Sequence, residues 1–217
     1  SSDFYQACLE TIATWQNFEL RQGLYATTVS ISGDWVSIET DKGLIAANLV
    51  IDTRPLQPRD DTAMIWQIFS GAEVETEASC FEPLTAGLME NMKSDATGLR
   101  FTYVLPTTTH RALIQTTRFS LTKIPPTELD EEFQADLKAL VKGPVTLTRW
   151  ERGCLPMGQT SPRMNSSSRI IPAGQAAGVL RASSGYGFLR IQTWARALAS
   201  ELAKGSTPLS KRFGSSL

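Results

Sequence analysis

Histidine is nearly absent from this chain: His110 stands alone among 217 residues. Cysteine is scarce too, and Cys8, Cys80 and Cys154 are far apart and odd in number. They offer neither metal-ligand spacing nor a paired disulfide framework. Reduced thiols serving as small buried residues of a cytoplasmic protein are expected. An excess of one charge is equally lacking, since 21 Lys and Arg face 22 Asp and Glu for a formal net charge of −1. A nucleic-acid footprint needs clustered Lys and Arg, so no nucleic-acid partner is expected. Long apolar runs are missing as well. The longest, Gly43 to Ile51, is far too short to cross a bilayer, which leaves only peripheral membrane contact. The first residues carry no secretory signal pattern. What is present is 41% hydrophobic content, enough for a core in one large domain or one and a half ordinary ones.

Along the chain, Asp3 to Trp15 puts Phe4, Cys8 and Ile12 at helical spacing with Tyr5 and Leu9 beside them, which predicts an amphipathic helix. Leu24–Ile31 and Asp34–Thr40 are alternating and rich in β-branched residues, with a turn at Ser32-Gly33 between them. Leu44–Ile51 is near-continuously apolar and predicts a strand buried on both faces of a layered sheet. It runs into Asp52-Thr53-Arg54-Pro55, so polar groups emerge at the strand end where open α/β sheets bind ligands. Met64–Phe69, Arg100–Leu105, Ala112–Phe119 and Val145–Trp150 read as further strands.

Two later helices are predicted. In Thr127–Lys142, Thr127 and Asp130 form a capping-box pattern, Leu129, Phe133, Leu137, Leu140 and Val141 line one face, and Gly143-Pro144 stops the helix. Phe188–Ala203 carries Ile191, Trp194, Ala195, Leu198 and Leu202 on its inward face. Lys204 to Leu217, with Lys211 and Arg212, reads as a frayed tail. The plan is α+β: a sheet-rich block flanked by segments, Gly43–Arg54 and Arg169–Gly178, that belong side by side in one α/β layer.

Three stretches in order carry a resemblance. The first is Val50-Ile51-Asp52-Thr53-Arg54-Pro55, followed by Gln67-Ile68-Phe69-Ser70-Gly71-Ala72-Glu73-Val74 and by Leu88-Met89-Glu90. The second is Arg100-Phe101-Thr102-Tyr103-Val104-Leu105-Pro106, then Leu113-Ile114-Gln115-Thr116-Thr117. The third is Glu151-Arg152-Gly153-Cys154-Leu155-Pro156-Met157, then Gly174-Gln175-Ala176-Ala177-Gly178, then Ser184-Gly185-Tyr186. Together they resemble the bacterial lycopene β-cyclases, a flavin-dependent family.

The resemblance implies a fold, an activity and a site. The fold is a substrate-binding antiparallel sheet plus the distal part of an FAD/NAD(P)-binding, hydroxylase-like domain. Residues 1–55 and 151–203 would belong to the FAD-binding domain, 56–150 to the substrate-binding sheet and 204–217 to the tail. The activity is acid-initiated ring closure of lycopene or a related linear carotenoid, without net redox change. It uses reduced FAD, with NAD(P)H as an indirect reductant, at the cytoplasmic membrane surface. Asp52, Arg54 and Gly174, Gln175, Ala176, Ala177 and Gly178 are the cofactor-binding candidates. Trp66, Phe69, Phe101, Tyr103 and Tyr186 are the substrate-binding candidates, since π-faces attract positive charge.

Two departures from the family stand out. Its opening Gly-x-Gly-x-x-Gly, which seats the FAD pyrophosphate, is not in this sequence. A truncated protein that binds FAD weakly or not at all is therefore expected. Where the family has the carboxylate regarded as catalytic, this chain has Gln115, an amide with no proton to give. Glu90 is then the first guess at the acid, and Gln115 a site-lining residue. The alternatives are another flavoprotein of this fold, a monooxygenase or isoprenoid reductase, and an inactive lobe that binds an apolar ligand.

Overall fold

A computed structural model describes residues 2–54, 64–158 and 169–205. Pro55, Lys211 and Arg212, singled out above, lie outside the described residues. Of those described, 2–51 and Arg169–Ile171 form one compact unit, and 52–54, 64–158 and 172–205 form a second. The expected boundary at residue 150 falls within a strand of the second unit.

The first unit holds α1 (Ser2–Ala13) and an antiparallel meander of β1 (Ala26–Ser32), β2 (Trp35–Thr40) and β3 (Gly43–Ala47). In α1, Cys8 and Ile12 are half-buried while Phe4, Tyr5 and Leu9 are exposed. The long apolar strand expected over Leu44–Ile51 is in fact two strands. β3 ends at Ala47, and β4 (Val50–Asp52) starts afresh after Asn48 and Leu49. Nor is it buried on both faces: β3 is an edge strand, and its Leu44 is 70% exposed. An apolar run permits burial on both faces but does not place the strand in mid-sheet. β4 pairs with β10 (Ile170–Pro172), so the two segments expected to be neighbours are hydrogen-bonded, Val50 N–H to Arg169 O and Ala173 N–H to Asp52 O, each at 2.8 Å.

The second unit is built on a five-stranded antiparallel sheet of order β6-β7-β8-β5-β9: β5 (Ile65–Thr76), β6 (Gly87–Asp95), β7 (Gly98–Pro106), β8 (Arg111–Ser120) and β9 (Val145–Met157). α2 (Asp130–Leu140) crosses one face. Phe133 and Leu137 pack with Val141 on Ala72, Val74, Ala112 and Ile114, all at most 5% exposed. The predicted capping box does not form. Residues Pro126–Leu129 are a 3-10 turn, and α2 has no side-chain cap. Asp130 instead accepts from Ser70 Oγ at 2.6 Å and from Arg152 at 2.8 and 2.9 Å, so a long-range ion pair displaces the local cap. β9 runs well past its expected end at Trp150. β6 has no counterpart among the expected strands. Its ladder slips twice, and Met89 and Asn91 take left-handed φ of 55° and 51°, so it shows no alternation.

The last helix, α3 (Phe188–Ala203), matches its predicted span. Only Leu198 of its five expected inward residues is buried, Ile191 and Trp194 being half-buried and Ala195 and Leu202 exposed. The cysteines also depart from expectation: Cys8 and Cys154 are half-buried and Cys80 is exposed. None of the described helices is long and apolar enough to cross a membrane.

Candidate functional site

In an antiparallel sheet, directly paired residues share a face, and residues two apart along a strand do too. The register of β7, β8, β5 and β9 therefore sorts the second unit into rows. One row is Leu99–Phe119–Gln67–Leu155, the next Phe101–Thr117–Phe69–Gly153, and the next Tyr103–Gln115–Gly71–Glu151. All three lie on the face opposite α2. The motif residues Gln67, Phe69 and Gly71 alternate along β5, and Glu151, Gly153, Leu155 and Met157 alternate along β9. Period two thus brings distant parts of the resemblance onto one surface.

Contacts on that face follow from its glycines. A Cβ at Gly71 would come within 2.4 Å of Ile114 O and 2.9 Å of Gln115 Cβ, so β5 and β8 approach there as only glycine permits. A Cβ at Gly153 would sit 2.4 Å from Phe69 Cζ, which places the Phe69 ring over bare backbone. Gly185, at φ +69°, lies against Gln67 and Met157. The loop carrying Ser184-Gly185-Tyr186 is thereby seated on the same face. Phe101 packs edge-on to Tyr103 and Phe119, at 5.2 and 5.0 Å between ring centroids. The Tyr103 phenol is hydrogen-bonded to Tyr186. Burial, then that hydrogen bond, pushes it above the usual tyrosine range, so it stays a neutral hydroxyl.

Four of the five aromatic candidates, Phe69, Phe101, Tyr103 and Tyr186, are brought together here with Gln115. Trp66 is not. It is 2% exposed, packs with Ile68 and Leu129 on the α2 side, and has Lys123 Nζ 5.2 Å from its ring. Glu90 is also elsewhere. It pairs with Thr102, whose hydroxyl bonds Asp136 of α2, and its carboxylate folds against Gly87. Gln115 and Glu90 thus occupy opposite faces. Gln115 is half-buried, and Thr117 Oγ1 donates to its Oε1 at 3.5 Å. Gln67, Thr117 and Glu151 join the site without having been among its candidates. The signal that finds them is the alternation within Gln-x-Phe-x-Gly and Glu-x-Gly-x-Leu.

The cofactor candidates form a second group. Asp52 accepts from Arg54 N, Nε and Nη2 at 3.0, 3.0 and 2.8 Å, and the Arg54 hydrogen bonds hold its carboxyl below the ordinary range. The Ala173 N–H bond to Asp52 O brings the 3-10 turn Gly174–Ala177 alongside. Gly174 and Gly178 are left-handed, at φ +64° and +68°, and the space a Cβ would take at Gly174 is open. That suits close approach of a flat ring or phosphate to backbone. The residues present would suit one edge of a flavin.

Among curated proteins no sequence matches this chain. Similar folds occur in the flavin-dependent halogenase CmlS (TM-score 0.62, 12% identity, 95% of this chain and 40% of that one). A geranylgeranyl bacteriochlorophyll reductase-like protein from Thermoplasma acidophilum is alike too (TM-score 0.61, 11% identity, 88% and 52%). So is RebC, solved with 7-carboxy-K252c bound (TM-score 0.56, 16% identity, 93% and 39%). The chain thus shares an α+β fold with these three proteins and spans 39–52% of their length. The family model described as Lycopene cyclase protein matches residues 19–213, and the chain belongs to that family.

Proposed function

We propose that this chain supplies the substrate-binding part of a carotenoid-cyclising isomerase, one that closes rings at the ends of lycopene or a related linear carotenoid. The observation that carries the reading is the convergence of motif residues from β5, β9 and the 181–187 loop on the face that holds Gln115. In the reaction a proton adds to the terminal double bond, the internal double bond attacks the resulting cation, and a ring carbon loses a proton. Atoms and electrons balance without oxidation or reduction.

The roles of the chain's own residues follow from their chemistry. Phe69, Phe101 and Tyr103 would present π-faces and apolar surface to the polyene end and exclude water. Gln115 would orient the substrate without protonating it. Arg54 and the Gly174–Gly178 turn would hold one edge of FAD. Bound in its reduced form, FAD would supply electron density beside the cationic carbon. A substrate of this kind resides in membranes, so access from a membrane surface goes with the reading.

The test is product analysis in lycopene-accumulating cells expressing the protein. Ring-closed product of unchanged mass supports the cyclase. An oxygenated or hydrogenated product supports the second reading, a monooxygenase or isoprenoid reductase, which the amide at 115 favours. Absence of any new product leaves the apolar-ligand-binding lobe.

A further inference from the structure

We propose that Glu151 supplies the negative charge that position 115 lacks in this chain, facing the cationic carbon and accepting the ring proton. The inference rests on the cyclase reading and adds a residue to it.

The row Tyr103–Gln115–Gly71–Glu151 contains a single carboxylate, Glu151. Its Cα lies two strand spacings from that of Gln115, about 10 Å. The residue between them is Gly71, so no side chain separates the two. Glu90 is excluded because it shares the α2 face with Thr102. Glu151 and Glu73 both contact Arg149 Nη2, which leaves two carboxylates for one guanidinium and a local excess of one negative charge. The Glu151 side chain is 29% exposed against 40% for Glu73, so it is the better shielded of the two. Shielding strengthens its attraction to a cation.

The chemistry suits an anion rather than an initiating acid. Glu151 stands as the anionic half of an ion pair with Arg149. An anion there suits a carbocation as its partner, and a carboxylate oxygen is placed to take the ring proton as the cation collapses. In the step it performs, the C–H bond next to the cationic carbon breaks and its electron pair becomes the ring double bond. The proton passes to a Glu151 carboxylate oxygen and from there to solvent.

The test needs no turnover. Binding of a geranylgeranyl tertiary ammonium and of its uncharged hydrocarbon isostere to the 217-residue chain is measured by tryptophan fluorescence. The unaltered chain should bind the ammonium about tenfold more tightly. Glu151→Gln should bring the ratio close to one while hydrocarbon affinity is kept, and Glu151→Asp should retain part of it. Glu131→Gln, on the exposed side of α2, should leave the ratio unchanged. Should Glu151→Gln fail to fold, Arg149→Gln decides, because freeing the carboxylate should raise the ratio. A ratio that survives Glu151→Gln, a ratio unmoved by Arg149→Gln, or no preference in the unaltered chain overturns the proposal. Ring closure in cells is scored separately: its failure alongside an intact, Glu151-dependent ratio strikes the cyclase reading and upholds the charge assignment.

Discussion

The two faces of the five-stranded sheet differ in how firmly the polar residues at their centres are held. Beneath α2, polar groups are locked to one another. Asp136 accepts from Arg100 Nη2 at 2.6 Å, Thr116 Oγ1 at 2.6 Å and Thr102 Oγ1 at 2.8 Å, while Arg118 bonds Glu132 and Asp95. On the other face, Gln115 receives one 3.5 Å contact from Thr117, and Phe69 lies over bare backbone. Polar groups satisfied in depth hold a structure together, whereas those left with spare valence are available to a ligand. Stability should therefore concentrate on the α2 face and ligand response on the other.

The sharpest way to break this contrast is to cut the α2 face. Asp136→Ala strips Arg100, Thr102 and Thr116 of their shared acceptor and leaves Arg100 with Glu132 alone, and should cost about 3 kcal/mol in a denaturant titration. Phe133→Ala should cost about as much, through the cavity it opens against Ile114 and Ala72. Acid tests the same contacts. Burial works against the Asp136 charge, but the bonds from Arg100, Thr116 and Thr102 outweigh it and hold the carboxyl below its ordinary value. A depressed folded-state pKa gives stability that is present above the unfolded value, near 3.9, and lost as pH falls through the lower folded value. Melting temperature should therefore drop in that acid window, and Asp136→Asn should flatten the drop.

A smaller effect is expected where β5 and β8 approach most closely at Gly71. Gly71→Ala must push apart β5 and β8 at backbone contacts, with an expected cost of about 1–3 kcal/mol in the same titration. It should also weaken binding of the hydrocarbon probe, because the added methyl stands in the Gln115 row. Tyr186→Phe should cost about 1 kcal/mol by removing the hydrogen bond to Tyr103. In an ultraviolet pH titration it should bring the most resistant phenol to a lower pKa. The smallest stability change should come from Gln115→Ala, about 0.5 kcal/mol, since the hydrogen bond it accepts from Thr117 is long. In the cell assay Gln115→Ala should lower cyclisation only modestly, and Gln115→Glu should maintain or raise it. Abolition of cyclisation by Gln115→Ala in a folded protein would show that the amide is indispensable and that the open face tolerates change no better than the other.

Several elements are legible in the sequence. Phe188–Ala203 matches its helix residue for residue, and Arg100–Leu105 and Ala112–Phe119 lie inside β7 and β8, because alternation and helical spacing are local properties. Local pattern misleads where a distant partner intervenes. Asp130 leaves its capping role for Ser70 and Arg152, and Leu44–Ile51 divides between two sheets. β6 escapes the pattern because left-handed residues at Met89 and Asn91 erase its alternation.

The site divides the same way. By itself the sequence determined the family motifs, the amide at 115, and which residues within each strand share a face, since the strand period is two. Only the tertiary structure decided that Glu151 stands in the row of Gln115, that Trp66 and Glu90 belong to the α2 side, and that Tyr186 reaches Tyr103. Those facts depend on strand order and on which face α2 covers. Both are set by long-range pairing and packing, to which a strand's own alternation is indifferent.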